Sequence, residues 1–120
     1  MNCEKHRLCR LDELEEGLIT GGSLSDGHRV AIYLVDGKVY VTDDRCTHGD
    51  ASLTEEGSIS GCTVECSWHF GTFDVRTGEP TASPCTERLR SYRVSILNGE
   101  VWVETAQVQS VGPESDSSVA

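Results

Sequence analysis

Cysteine and histidine recur at close spacing in two places, as Cys46-Thr47-His48 and as Cys66-Ser67-Trp68-His69, with seventeen residues between His48 and Cys66. Each half offers one thiolate and one imidazole, so two such turns laid side by side can surround an inorganic centre. Four thiolates would suit a plant-type iron-sulfur cluster, but no combination of the cysteines at 3, 9, 46, 62, 66 and 85 meets that spacing. Structural zinc also uses two Cys and two His. Its ligands usually come as Cys-x₂₋₄-Cys with His-x₃₋₅-His, and a one-residue Cys-x-His gap is tight for a tetrahedral ion. Two cysteines with two histidines suit a two-iron centre in which imidazoles hold one iron and thiolates the other. Cys3, Cys9, Cys62 and Cys85 show no paired spacing and read as isolated, mostly buried thiols, while His6 and His28 read as ordinary polar residues.

Strands must position these turns. From His28 the chain reads His-Arg-Val-Ala-Ile-Tyr-Leu-Val, then Asp36-Gly37, then Lys-Val-Tyr-Val-Thr, two β-branched and aromatic runs around a strong hairpin signal. Tyr92 to Leu97, Asn98-Gly99 and Glu100 to Glu104 repeat that logic, with Val101 and Val103 on one face and Trp102 on the other. Hairpins at both ends imply an all-β sandwich or barrel. Leu8, Leu11 and Leu14 fall at helical spacing, but Gly17 and the surrounding acids limit the expectation to one helical turn. Asp43 to Pro84 is rich in Gly, Ser, Thr and Cys, with short strand-like pieces at Ser58–Ser60, Thr63–Glu65 and Thr72–Val75. So little apolar content implies that something besides packing orders this segment. The expected domain is 1–104, with a cluster-binding part at about 43–84 and a disordered tail at 105–120.

Composition narrows the function. One hundred and twenty residues make one domain, and a charge of −10 repels phosphate backbones and anionic lipid heads, so neither nucleic acid nor membrane is an expected partner. Apolar runs reach about five residues, against 18 or more for a span. With no apolar stretch behind Met1 to His6, the expectation is a cytoplasmic monomer, where disulfides are rare and cysteine more often means metal or catalysis.

Cys46-Thr47-His48-Gly49 and Cys66-Ser67-Trp68-His69-Phe70-Gly71 resemble the two cluster-binding boxes of Rieske proteins. The flanks Asp43-Asp44-Arg45 and Thr72-Phe73-Asp74-Val75-Arg76-Thr77-Gly78 look like the family's box surroundings, and the likeness runs from about Leu8 to Glu104. Within that family the chain resembles the ferredoxins of bacterial aromatic-ring dioxygenase systems. The resemblance implies an antiparallel β-sandwich with a small cluster-binding subdomain of loops and short strands. It implies a [2Fe-2S] cluster whose buried iron is held by Cys46 and Cys66 and whose outer iron is held by His48 and His69. It further implies a one-electron carrier, not an enzyme, between a flavin-containing ferredoxin reductase and a terminal oxygenase.

Departures from the respiratory branch of the family are informative. That branch carries an extra Cys in each box, joined in a disulfide, where this chain has Ala51 and Trp68. Its Ser and Tyr hydroxyls, which hydrogen-bond the cluster sulfurs, correspond here to Gly71 and Phe73. A low potential within the Rieske range follows. Pro80 and Pro84 stand where the family has a loop that covers the cluster. The alternatives are a small Rieske subunit of a nitrite reductase-type oxidoreductase and a zinc-stabilised binding module. For docking, the expected patch is the histidine edges with Trp68, steered by acids such as Asp50, Glu55 and Glu56; the competing reading packs Trp68 inward as a shield.

Overall fold

The computed structural model describes residues 3–46, 51–67, 71–82 and 88–106. Among the described residues ten strands occur in this order: β1 (Cys3–Arg10), β2 (Ile19–Ser23), β3 (Arg29–Val35), β4 (Lys38–Asp43), β5 (Gly57–Ser60), β6 (Thr63–Cys66), β7 (Thr72–Asp74), β8 (Pro80–Ala82), β9 (Ser91–Leu97) and β10 (Glu100–Ala106). A 3₁₀ turn, Leu11–Glu13, follows β1, and a short helix, α1 (Leu53–Glu56), precedes β5. All strand pairs are antiparallel, in a six-stranded sheet ordered β1-β10-β9-β4-β3-β2 and a four-stranded sheet ordered β5-β6-β7-β8. The all-β antiparallel expectation holds.

The run Arg-Val-Ala-Ile-Tyr-Leu-Val explains the layering. Successive side chains of a strand point to opposite faces, and β3 is buried on both. Val30 and Ile32 face one core with Cys9, Leu14, Leu24, Val41, Tyr92, Val101 and Val103. Ala31, Tyr33 and Val35 face the other, with Cys46, Ala51, Leu53, Val64, Cys66, Phe73, Val75 and Leu89. Pairing between β4 and β9 is confined to Val41–Tyr92 and Thr42–Ser91. The six-stranded sheet therefore folds over there, so that Val101 and Val103 of β10 meet Val30, Ile32 and Val41.

Both expected hairpin turns form. Asp36 and Gly37 have φ of 52° and 79°, and Asn98 and Gly99 have 50° and 76°, the double positive φ of a type I′ turn. The Glu16 carboxylate accepts from both Asp36 N (3.0 Å) and Gly37 N (2.7 Å), pinning the first turn to the chain ahead of β2.

The first strand is a departure from expectation. Around Leu8 to Gly17 the residues suggest one helical turn in a solvated segment; the turn exists at Leu11–Glu13, but Cys3–Arg10 is a full strand paired with β10. Its pairing register shifts between Arg7 and Cys9, so Leu8, Leu11 and Leu14 all pack against the same core without being helical. His6, on β1, is buried and hydrogen-bonded: Nδ1 accepts from Ser25 N (3.1 Å) and Nε2 lies 3.2 Å from Thr105 Oγ1. β10 continues to Ala106, and positions 107–120 lie outside the described residues.

Two glycines are required by close approach: a Cβ at Gly57 would lie 2.6 Å from the Leu53 carbonyl oxygen, and Gly78 is the tighter case. Gly78, at φ +83°, ends the turn after β7, where its N–H donates to Asp74 O (2.6 Å) and its carbonyl accepts from Leu89 N (2.7 Å). A Cβ there would collide with the Leu89 carbonyl, and Leu89 is fully buried in the core shared with Cys46 and Cys66. Gly61, at φ +59° with nothing near its missing Cβ, is the control. Gly61→Ala should cost about 1–2 kcal/mol for the left-handed backbone alone, and Gly78→Ala clearly more. Equal losses of stability in thermal melts of the two variants would remove the close-approach argument.

Candidate metal centre

The first box leaves the end of β4. Asp44 is 5% exposed, and its carboxylate accepts from Ser52 Oγ (2.6 Å), Thr54 N (2.8 Å) and Thr54 Oγ1 (2.5 Å). Its carbonyl accepts from Leu53 N at 2.7 Å. Next to it Arg45 and Ser52 form an isolated antiparallel bridge, and Cys46 N donates to Ala51 O at 2.9 Å. The backbone is thereby pinched shut around positions 47–50, which include His48 and Asp50 and lie outside the described residues.

The second box is closed in the same way. β6 ends at Cys66, whose N–H donates to Gly71 O at 3.0 Å, five positions on, as in the first loop. Ser67 is tied to the end of α1: its N–H donates to Glu56 O (3.0 Å) and its hydroxyl to Glu56 Oε1 (3.2 Å). Trp68, His69 and Phe70 lie outside the described residues. α1 is thus a spacer between the loops, with Ser52 at its N-cap held by Asp44 and Glu56 at its far end holding Ser67.

Cys46 and Cys66 are each 2% exposed, belong to one core cluster, and are thiols rather than disulfide halves. Two buried thiols in one cluster, each at the start of a segment closed by a bond to the carbonyl five positions on, have the chemistry that a soft metal centre takes as donors. The wall behind them is apolar: Ala51, Leu53, Val64 and Phe73 are all buried in the same cluster. Ala51 and Phe73, which stand in place of a cysteine and a tyrosine of the respiratory branch, offer neither a disulfide nor a hydroxyl there.

Asp44, Ser52, Thr54 and Glu56 are site residues whose roles the sequence reading did not find. Ser52-Leu53-Thr54-Glu55 carries the Ser-x-x-Glu signature of a helix start, and the Ser52 hydroxyl does accept from Glu55 N, at 3.4 Å. Glu55 and Glu56 are exposed, as a steering role needs. Beside the first loop, Tyr92 donates its hydroxyl to Asp43 Oδ1 (2.6 Å), and His28 Nε2 lies 2.8 Å from the same oxygen. Burial, and then the bond to Asp43, push the Tyr92 hydroxyl well above the usual tyrosine range. Tyr33, whose hydroxyl is 2.9 Å from Thr42 Oγ1 beneath the same loop, is pushed up by burial.

Of the remaining cysteines, Cys9 is buried in the other core and Cys62 is half-buried at the β5–β6 turn. Burial raises the Cys9 thiol, which keeps it protonated and inert. Cys85 and Pro84 lie outside the described residues, whereas Pro80 opens β8 opposite Phe73. Among the described residues no helix is long and apolar enough to cross a membrane.

Comparison with known proteins adds to this geometry. A family model described as "Rieske [2Fe-2S] domain" matches residues 4–93. The ferredoxin component of the p-cumate 2,3-dioxygenase system of Pseudomonas putida is 50% identical over 97 residues, 81% of this chain and 82% of that protein. A solved ferredoxin of Sphingomonas yanoikuyae B1 superposes with a TM-score of 0.81 at 38% identity, covering 86% of this chain and 100% of that one. A chain in the complex of reduced oxygenase and oxidized ferredoxin in carbazole 1,9a-dioxygenase matches with a TM-score of 0.77 at 38% identity, over 82% of this chain and 91% of that one.

Proposed function

This chain belongs to the Rieske [2Fe-2S] domain family, and on that premise we propose that it is the ferredoxin component of an aromatic dioxygenase system. It carries single electrons from a flavin-containing reductase to a terminal oxygenase and does no chemistry on the aromatic substrate itself. The cluster is a Rieske-type [2Fe-2S] centre, which takes up and returns one electron when bound. We assign Cys46 and Cys66 to one iron and His48 and His69 to the other, within a cluster-binding part at about 43–84.

One observation carries this reading: two loops built alike, each beginning at a buried cysteine whose N–H is bonded to the carbonyl five positions on. The residues fit the group. Two thiolates emerge from the core side, walled by Leu53, Val64 and Phe73, so water is kept from the thiolate end. The histidines follow the cysteines within the two boxes in sequence, and we assign them the outer iron, from which an electron leaves. Asp44 and Glu56 hold the two loops to the ends of α1 and so fix one loop against the other.

A carrier must bind each partner in turn and let go, which calls for small interfaces steered by charge. The −10 charge and the exposed Glu55 and Glu56 supply steering toward basic rims. Stopped-flow reduction by the reductase should therefore slow as salt rises, since screening at about 0.15 M limits exposed charges to roughly 8 Å. Trp68→Ala should slow transfer further while iron content stays full. A rate indifferent to ionic strength up to half-molar salt would end the steering idea, and an unchanged Trp68→Ala rate would take Trp68 out of the contact.

A further inference from the structure

We propose that Asp44 lowers the reduction potential of the centre by holding a fixed negative charge, 5% exposed, at the root of the first loop. The inference rests on the reading above that Cys46, two positions on, is a cluster ligand. The chain has 20 acidic residues, and among the described ones Asp44 is the carboxylate that is buried. Its three partners, the Ser52 hydroxyl and the Thr54 amide and hydroxyl, all donate to it. All three donors are neutral, one amide and two hydroxyls. The charge is stabilised by dipoles and is not cancelled by an ion pair among them.

Position decides how strongly that charge acts. A carboxylate at the surface is screened by water, whereas a buried one acts through a lower effective dielectric. Arg29 and Arg45 line a shallow cavity with Asp44 and Ser52, but both are exposed, so solvent weakens their compensation. Reduction adds one negative charge to the centre, and a fixed negative charge beside it opposes that step. Asp44 is a positioning residue as well, because the same bonds clamp the loop through Ser52 and Thr54. The test must separate the two roles.

Asp44→Asn does so. The amide oxygen can keep both Thr54 bonds, and the Ser52 hydroxyl can turn to accept from the new amide, so the clamp survives while the charge goes. Thr54→Val is its opposite, because it keeps the charge and removes one compensating hydroxyl. Midpoint potentials measured by EPR-monitored redox titration, on protein with assayed iron and acid-labile sulfide, should rise in Asp44→Asn and fall in Thr54→Val. Glu55→Gln, which removes an exposed acid one residue beyond Thr54, should move the potential less than Asp44→Asn. A cluster-bearing Asp44→Asn protein whose potential moves no further than that of Glu55→Gln overturns the inference. Should Asp44→Asn fail to assemble a cluster, Thr54→Val decides, and an unmoved or raised potential there overturns it equally. Wild-type protein without iron and sulfide overturns the Rieske reading itself, which is a different outcome from a loaded protein with an indifferent Asp44.

Discussion

Cys66→Ser protein is expected to be colourless, to lack the EPR signal of a reduced Rieske centre, and to lose order in both loops while keeping the six-stranded sheet. Cys66 ends β6 at 2% exposure, so a serine there leaves a buried hydroxyl in place of the thiol assigned to iron. Metal binding contributes roughly 10 kcal/mol or more to small metal-dependent domains, against a net stability of about 5–15 kcal/mol for a whole domain. Loss of the centre therefore outweighs any local packing around the loops. The structure limits how far the damage spreads, however. Sequence alone suggests that the 43–84 segment has too little apolar content to hold itself, yet Leu53, Val64, Phe73 and Val75 pack onto Ala31, Tyr33 and Val35 of β3. Hydrogen exchange should show this division. The Cys46 amide and the mutant Ser at 66, bonded to Ala51 and Gly71 carbonyls in the intact protein, should lose protection, while amides of β3 and β4 keep theirs. Brown Cys66→Ser protein with an unaltered spectrum would sink the ligand assignment.

What could be read in advance depended on how local the constraint was. Asp36-Gly37 and Asn98-Gly99 announce their turns because few residues accept two successive positive φ values, and both turns have them. The boxes are legible because a Cys-x-His gap is rare and its donor chemistry narrow, which also weighed against zinc before the family match. β1 is harder to see. Its exposed positions, Lys5 and Arg7, are charged, its buried ones are His6 and Cys9, and the register shift between Arg7 and Cys9 breaks the alternation that marks a strand. The role of Asp44 was invisible for another reason. The flank Asp43-Asp44-Arg45 resembles the family's box surroundings, but nothing in the sequence gives Asp44 a role apart from Asp43 until the fold brings Ser52 and Thr54 to its carboxylate. β3 was read as a strand, but only the second sheet explains why its run has no polar face.

The wild-type potential is expected near the low end of the Rieske range, at about −150 mV, and Gly71→Ser with Phe73→Tyr should raise it. In the respiratory branch two hydroxyls at these positions donate to cluster sulfurs and favour the reduced state. Here Phe73 is fully buried in the same core as Cys46 and Cys66, paired with Val64 across β6 and β7, so no solvent hydroxyl substitutes for the missing one. The Gly71 carbonyl already receives the Cys66 N–H, so that bond of the loop does not depend on a side chain at 71. Stability gives an independent readout of where the new tyrosine hydroxyl goes. A buried hydroxyl without a partner costs roughly 1–3 kcal/mol, so a hydroxyl that fails to reach sulfur should lower stability by that amount and leave the potential unmoved. A hydroxyl that does reach it should raise the potential with little loss of stability. Direct electrochemistry placing the wild type above about +100 mV, toward the top of the range, would contradict the argument, because neither the apolar Phe73 nor the missing disulfide could then account for it.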